Sequence, residues 1–145
     1  MQFIDLSTQQ ARIKPEIDRR MAAVLAHGRY IMGPEVPEVE AELASRAGSK
    51  YCVVVSSGTD ALLMALMALG VGPGDEVIMP TFTIISCIGQ IVRAGAKPVL
   101  VDSDPHTWNM DVTQIEEKIT PRTKAIMVVH IYGLPVDMDP VLELA

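Results

Sequence analysis

The chain has 145 residues, of which 49% are apolar and 21% charged, so it is an ordinary folding sequence with room for one domain or part of one. Its formal net charge of −6 and its lack of basic runs argue against nucleic acid as the main partner. It has no signal-like leader and no apolar stretch long enough to span a bilayer, so a cytoplasmic location without membrane contact is expected.

Two amphipathic helices are predicted in a helical amino-terminal segment, residues 1–50. Pro15 and Pro34 are expected near their starts, where a missing N–H costs little. The apolar positions that mark the two helices are Ile17, Met21, Val24 and Leu25 for the first, and Val36, Val39 and Leu43 for the second. Residues 51–145 are predicted to form the first part of an α/β domain that is incomplete at its carboxyl end.

That domain is predicted to open with a strand, a tight turn and a helix. Tyr51 to Val55 is apolar and β-branched, which is typical of a strand buried on both faces. Ser56 to Gly58 forms the turn, and a helix runs from Thr59 to a stop at Gly70. Free backbone N–H groups at such a helix start suit a phosphate, to which the Thr59 hydroxyl can also donate. The alternative is a plain turn with Thr59 as a cap.

Three further strands follow, Glu76 to Met79, Lys97 to Val101 and Lys124 to Ile131. Helical patterns separate them, so the connections are crossovers. The sequence therefore predicts a three-layer α/β/α fold whose sheet has four mainly parallel strands.

The helices between and after these strands are less regular. One is predicted from Ile84 to Ala94, with Cys87 packed inside it, while Cys52 is expected in the buried first strand. Another is expected to start at Asp111, and a last one at Asp139. The apolar face expected for the helix after Asp111 consists of Val112, Ile115 and Ile119.

Ligand sites in open parallel sheets lie beyond the carboxyl ends of the strands. The groups predicted at that edge are Ser56 to Asp60, Thr81 to Ile84, Asp102 to Asp104, and His130 to Gly133. Within them Phe82 and Ile84 are more typical of core residues. His130 is more typical of a structural than of a catalytic histidine. Trp108 and Asn109, in the neighbouring loop, suit either surface packing or ligand contact.

The lysines give a sharper expectation. Lys50, Lys97 and Lys124 begin predicted strands, at the opposite edge of the sheet, and Lys14 and Lys118 lie elsewhere. No lysine of this chain is therefore expected to form a Schiff base with a ligand at the carboxyl edge. We identify no catalytic residue and no metal site from the sequence.

Several segments together resemble the DegT/DnrJ/StrS family of pyridoxal phosphate (PLP)-dependent nucleotide-sugar aminotransferases. They are FIDLSTQQARIKPEI, GRYIMGPEVPEVEAELA, SSGTDALLMALMALGVGPGDEVIMPTFT, GAKPVLVDSDPHTWNMD and ITPRTKAIMVVHIYGLPVDMDPVLELA. The resemblance covers only the amino-terminal part of the family, and it implies the large domain of a fold-type-I PLP enzyme.

The resemblance also implies a cofactor site. Gly58, Thr59 and Asp60 would hold the PLP phosphate, chiefly through backbone N–H groups and the Thr59 hydroxyl, with Ser57 beside them. Ile84 falls where many members carry an aromatic ring on the PLP pyridine, so its contact would be van der Waals only. The family's Schiff-base lysine would lie beyond Ala145, and this chain alone is expected to be inactive.

The implied reaction moves an amino group from glutamate to a nucleotide-linked keto sugar, as in surface polysaccharide biosynthesis. Tyr30 and Gly33 match a loop that approaches the active site in the family's homodimer, and His130 is a further substrate candidate. The first half resembles enzymes of 3-keto uronic acid sugars, and the second resembles 4-keto sugar enzymes of the perosamine type. The alternative function is a non-catalytic phosphate- or nucleotide-binding module.

Overall fold

The computed structural model describes residues 4–145. The chain divides into two compact units, a first unit up to Val54 and a second unit of residues 55–145. No helix in residues 4–145 is both long and apolar enough to cross a membrane.

Two helices make up most of the first unit. Helix α1 spans Leu6–His27 and α2 spans Glu35–Ala47, which confirms both predicted helices. Helix α1 starts earlier than predicted because the Asp5 side chain caps it, accepting a hydrogen bond from a backbone N–H at 3.0 Å. Pro15 therefore lies inside α1 and not near its start.

The apolar stripes of α1 and α2 remain open in this unit, since neither helix has a buried residue. Arg20 on α1 forms an ion pair with Glu38 on α2 at 2.8 Å. At half-exposed positions such a pair contributes little, about 0.2–1 kcal/mol. The first unit thus has weak internal packing.

The second unit is built on a parallel sheet of three strands. They are β1 (Glu76–Pro80), β2 (Lys97–Val101) and β3 (Thr123–Ile126), in the spatial order β2-β1-β3. Both pairings are parallel, which confirms the predicted sheet type, and Ile78 lies opposite Val99 on β2. Every residue of central β1 is buried.

Helices and turns cover both faces of this sheet. Helices α3 (Gly58–Ala68) and α4 (Ile85–Arg93) pack on one face, and α5 (Met138–Leu144) packs on the other. The buried residues on the α3/α4 face are Leu66, Val71, Val77, Met79, Cys87, Ile91 and Ala96. On the other face they are Ile78, Val101, Met110, Ile115, Val136 and Val141. Because successive strand side chains point to opposite faces, β1 supplies both cores.

The predicted first strand is wrong. Tyr51 to Val55 pairs with no strand in the described residues, and the side chains of Tyr51 and Val53 are 73% and 70% exposed. The Val54 N–H donates instead to Glu40 Oε1 at 2.9 Å. An apolar, β-branched run forms a strand only where a neighbour supplies ladder hydrogen bonds. Cys52 is accordingly half-buried, while Cys87 is buried in α4 as predicted.

The segment after Asp111 also differs from its prediction. Asp111 caps it as expected, accepting from the Thr113 N–H at 3.1 Å, but two 3₁₀ turns follow in place of an α-helix. Val112, Thr113 and Ile115 are β-branched and disfavour a helix too short to be stable by itself.

The last two elements have different bounds from those predicted. Strand β3 ends at Ile126, five residues before its predicted end at Ile131, although the Met127 N–H still donates to Ile78 at 2.8 Å. Helix α5 begins at Met138 after Asp137, so Asp139 lies in its first turn and is not its cap.

Candidate functional site at the carboxyl edge of the sheet

The carboxyl ends of the three parallel strands meet at one edge of the sheet. There the Thr81 N–H donates to the carbonyl oxygen of Val101 at 2.9 Å, and the Thr81 hydroxyl donates to Asp102 Oδ1 at 3.3 Å. The start of α3 is brought to the same edge, because the Thr59 hydroxyl donates to Ser86 Oγ, in the first turn of α4, at 3.2 Å.

The start of α3 has the properties of an anion site. Ser57 is the cap residue, and the N–H groups of Gly58 and Thr59 have no hydrogen-bond partner within the described residues. A Cβ added to Gly58 would meet no atom within 4 Å, so the space beside this backbone is open. Two unpaired N–H groups at the positive end of an 11-residue helix form a donor set that fits a phosphate.

Asp60 has a different role from its neighbours. Its N–H donates to Ser57 Oγ at 3.1 Å and is therefore not available to a ligand. Its carboxylate accepts from the hydroxyls of Ser56 and Ser57, and these hydrogen bonds lower the pKa of Asp60 below its ordinary value. The ionised Asp60 thus holds the turn that presents Gly58 and Thr59.

The other predicted residues at this edge divide into exposed and structural ones. Ile84 is 66% exposed at the start of α4, and Phe82 is 41% exposed, so the core expectation for both is wrong. His130 Nδ1 accepts a hydrogen bond from the Val136 N–H at 3.0 Å, which is the structural role that its sequence context favours.

Tyr30 and Gly33 lie in the first unit, where Tyr30 is exposed and Gly33 is buried. A Cβ on Gly33 would lie 2.4 Å from the carbonyl oxygen of Arg29. No side chain fits there, so the local backbone explains this glycine.

The lysines of the second unit lie away from the carboxyl edge, as predicted. Lys97, at the start of β2, reaches Glu76 Oε1 at 3.1 Å, and Lys124 is near the start of β3. Lys118 lies in a 3₁₀ turn beside Glu117. Among residues 55–145, no lysine is therefore placed to form a covalent bond with a ligand at the start of α3.

Glu76 anchors the opposite, amino edge of the sheet. This buried carboxylate accepts from Thr120 Oγ1 at 2.7 Å, from Arg122 Nη2 at 2.8 Å and from Lys97. These hydrogen bonds, led by that from Thr120, lower its pKa to about 2. The network ties the start of β1 to the starts of both neighbouring strands.

Sequence reasoning missed one grouping at the carboxyl edge. The ring centroids of Phe82 and Trp108 lie 5.7 Å apart, and those of Phe82 and Tyr132 lie 6.4 Å apart. These three residues are called the aromatic platform. The signal that could have found it is positional, because each residue follows the end of a different predicted strand.

A parallel α/β/α unit with an open helix start at its carboxyl edge defines a class of phosphate-binding α/β proteins. Within that class the family is clear, since the model of the DegT/DnrJ/EryC1/StrS aminotransferase family matches residues 11–145. The chain belongs to this family.

Its relatives are considerably longer. The chain is 53% identical over 145 residues to the UDP-2-acetamido-2-deoxy-3-oxo-D-glucuronate aminotransferase of Pseudomonas aeruginosa, matching 100% of this chain and 40% of that protein. It superposes on S. venezuelae DesV in complex with a ketimine intermediate with a TM-score of 0.93 and 44% identity, over 99% of this chain and 39% of the other.

A third match is a structure of a PLP form. It is that of the putative sugar aminotransferase Spr1654 from Streptococcus pneumoniae, which superposes with a TM-score of 0.75 and 37% identity, over 78% of this chain and 29% of the other. The chain thus spans about 40% or less of the length of these relatives.

Proposed function

We propose that this chain supplies the phosphate-binding part of a PLP-dependent aminotransferase, which transfers an amino group from glutamate to a nucleotide-linked keto sugar. The single observation that carries the proposal is the pair of unpaired N–H groups at the start of α3, in a backbone that has open space beside Gly58. Membership of the aminotransferase family supports the same function.

The chain's own residues divide the work of holding the cofactor. Gly58 and Thr59 donate backbone N–H groups to the phosphate, and the Thr59 hydroxyl turns from Ser86 to add a third donor. Ser57 and Asp60 hold the turn, and exposed Ile84 offers an aliphatic surface to the ring. Bound PLP supplies the electron sink for amino transfer.

The substrate proposed is a UDP-linked sugar with a keto group at the 3-position. The Pseudomonas aeruginosa relative is named for a UDP-linked 3-oxo-glucuronate, and its identity to this chain extends over all 145 residues. We place the protein in the cytoplasm and propose a homodimer in which exposed Tyr30 contacts the substrate, whereas the local backbone of Gly33 and the hydrogen bond to His130 give those two residues structural roles.

A second function is favoured by the positions of the lysines. If no lysine outside residues 1–145 completes the site, the chain is a non-catalytic module that binds phosphate or nucleotides. Mass spectrometry after incubation with PLP and borohydride distinguishes the two functions. A single stoichiometric lysine adduct in the natural protein, together with turnover with glutamate, supports the enzyme. Binding of PLP without such an adduct supports the module.

The phosphate site is tested by titrating PLP into the wild-type protein and two variants. Thr59→Ala removes the hydroxyl and should weaken PLP binding by about 1–2 kcal/mol. Thr59→Ser keeps the hydroxyl and is the matched control, so its affinity should stay close to that of the wild type. Equal affinity in all three proteins would remove Thr59 from the site.

A further inference from the structure

The aromatic platform is unusually open for a group of large apolar side chains. Phe82 follows β1, Trp108 lies in the loop after β2, and Tyr132 follows β3. Trp108 is 57% and Tyr132 is 88% exposed. The rings of Trp108 and Tyr132 are inclined to the ring of Phe82 by 52° and 63°, so neither is stacked flat upon it. Packing within this unit therefore does not account for the cluster.

The backbone at two of these residues is in a rarely used conformation. Trp108 has a φ of 62° and Tyr132 a φ of 51°, values that place both in the left-handed region. Bulky L-residues seldom adopt it, and such strain persists only where surrounding interactions impose it.

A buried amide links the two segments that carry these residues. Asn109 Oδ1 accepts from the Ile131 N–H at 3.0 Å, and Asn109 Nδ2 donates to the carbonyl oxygen of Leu134 at 3.0 Å. Asn109 directly follows Trp108, and Ile131 directly precedes Tyr132. One buried side chain thus joins the two segments that carry the exposed rings, as expected of a preorganised binding surface.

The charges around the platform decide which part of a ligand fits. Asp102 accepts a hydrogen bond from the hydroxyl of Thr81, the residue before Phe82. Asp104 accepts three hydrogen bonds within the loop after β2, which also carries Trp108. These acidic side chains make the loops around the rings unfavourable for phosphate and carboxylate groups. Of the parts of a nucleotide-linked sugar, a flat, uncharged ring suits the aromatic platform best, because an aromatic face binds such a ring by stacking.

We propose that the aromatic platform binds the nucleobase of the nucleotide-linked substrate by stacking, with Trp108 and Tyr132 as the contact residues. This inference rests on the proposed function, because the nucleotide is part of the substrate proposed there. It assigns the base to the β2 and β3 loops, while the start of α3 serves the phosphate of the cofactor. Asn109 is a positioning residue for both rings.

The test measures UDP and pyrophosphate binding by calorimetry with the natural full-length protein. Trp108→Leu and Tyr132→Leu should each weaken UDP binding about tenfold, within the range known for base stacking on aromatic side chains. Pyrophosphate, which lacks a base, should bind equally to all variants. Trp108→Phe keeps an aromatic ring, and Leu142→Ala removes an exposed apolar side chain from α5. Both controls should bind UDP like the wild type.

The outcomes separate this inference from the proposed function. The stacking role is wrong if both leucine variants bind UDP like the wild type, or if their affinity for pyrophosphate falls as much as their affinity for UDP. In either case, PLP binding and turnover by the wild type still support the proposed enzyme. If the wild type binds PLP but no UDP, the platform is also wrong. If it binds neither, the proposed function fails with it. If Trp108→Leu does not fold, the test rests on Tyr132→Leu, whose UDP and pyrophosphate affinities are compared with those of the wild type and of Trp108→Phe.

Discussion

Replacing Asn109 by alanine should destabilise the protein by about 3 kcal/mol. The amide makes three hydrogen bonds, accepting from the Ile131 N–H at 3.0 Å and donating to the carbonyl oxygens of Leu134 at 3.0 Å and Pro135 at 3.3 Å. Each net hydrogen bond contributes about 1 kcal/mol, and a buried N–H left without a partner adds about 1–3 kcal/mol. The two bonds at 3.0 Å thus account for about 2 kcal/mol and the unpaired Ile131 N–H for about 1 kcal/mol, while the longer contact to Pro135 adds little.

Urea unfolding followed by far-ultraviolet circular dichroism measures this change. Gln114→Ala is the matched control, because it truncates an amide that makes a single hydrogen bond, to Asp111 Oδ2 at 2.7 Å. This bond to a carboxylate is only half-buried, so its loss should cost about 1.5 kcal/mol, half of the loss expected for Asn109→Ala. If Asn109→Ala is no less stable than Gln114→Ala, then the buried amide does not hold the two loops together, and the account of the aromatic platform loses its support.

Three further predictions concern stability. Hydrogen bonding depresses the pKa of Glu76 from its ordinary 4.5 to about 2, so its stabilisation is complete above pH 4.5 and is lost as the pH falls through about 2. The gap in unfolding free energy between wild type and Glu76→Gln should accordingly close over that range, and a gap independent of pH would contradict the network. Ile78→Ala leaves a cavity at a fully buried position and should lower the free energy of unfolding, measured in urea, by about 2–5 kcal/mol. The control Ile85→Ala changes an exposed side chain and should lower it by less than about 0.5 kcal/mol, so equal losses would refute the core assignment. Gly33→Ala should lower the melting temperature, since its Cβ would lie 2.4 Å from a carbonyl oxygen, and an unchanged value would show that this loop can relax.

The strands with clear local boundaries could be predicted from the sequence. Strands β1 and β2 are short apolar runs bounded by glycine or proline, and they lie where the pattern indicates. Tyr51 to Val55 is also a short apolar run but forms no strand, because strand formation depends on pairing with a neighbouring strand and not on the run itself. The residues around Asp111 likewise predict that it caps a helical segment, but they do not predict that this segment consists of 3₁₀ turns.

The candidate site could be predicted in part, because some of its features are local and others depend on the tertiary fold. The start of α3 is a local feature, so a helix start at Ser57, Gly58 and Thr59 can be predicted from the residues themselves, and their role as a phosphate site stays a prediction. The aromatic platform depends on three loops that are far apart in the sequence, and only the order β2-β1-β3 brings them together. The occupied N–H of Asp60 likewise depends on a side-chain rotamer that no sequence pattern specifies.

A crystal structure of the natural protein with PLP tests the central claim most directly. We expect phosphate oxygens to accept hydrogen bonds from the N–H groups of Gly58 and Thr59 at about 2.7–3.2 Å. The Thr59 hydroxyl should have turned from Ser86 towards the phosphate. A phosphate bound elsewhere, with both N–H groups facing water, would contradict the assignment of the start of α3 as the cofactor site.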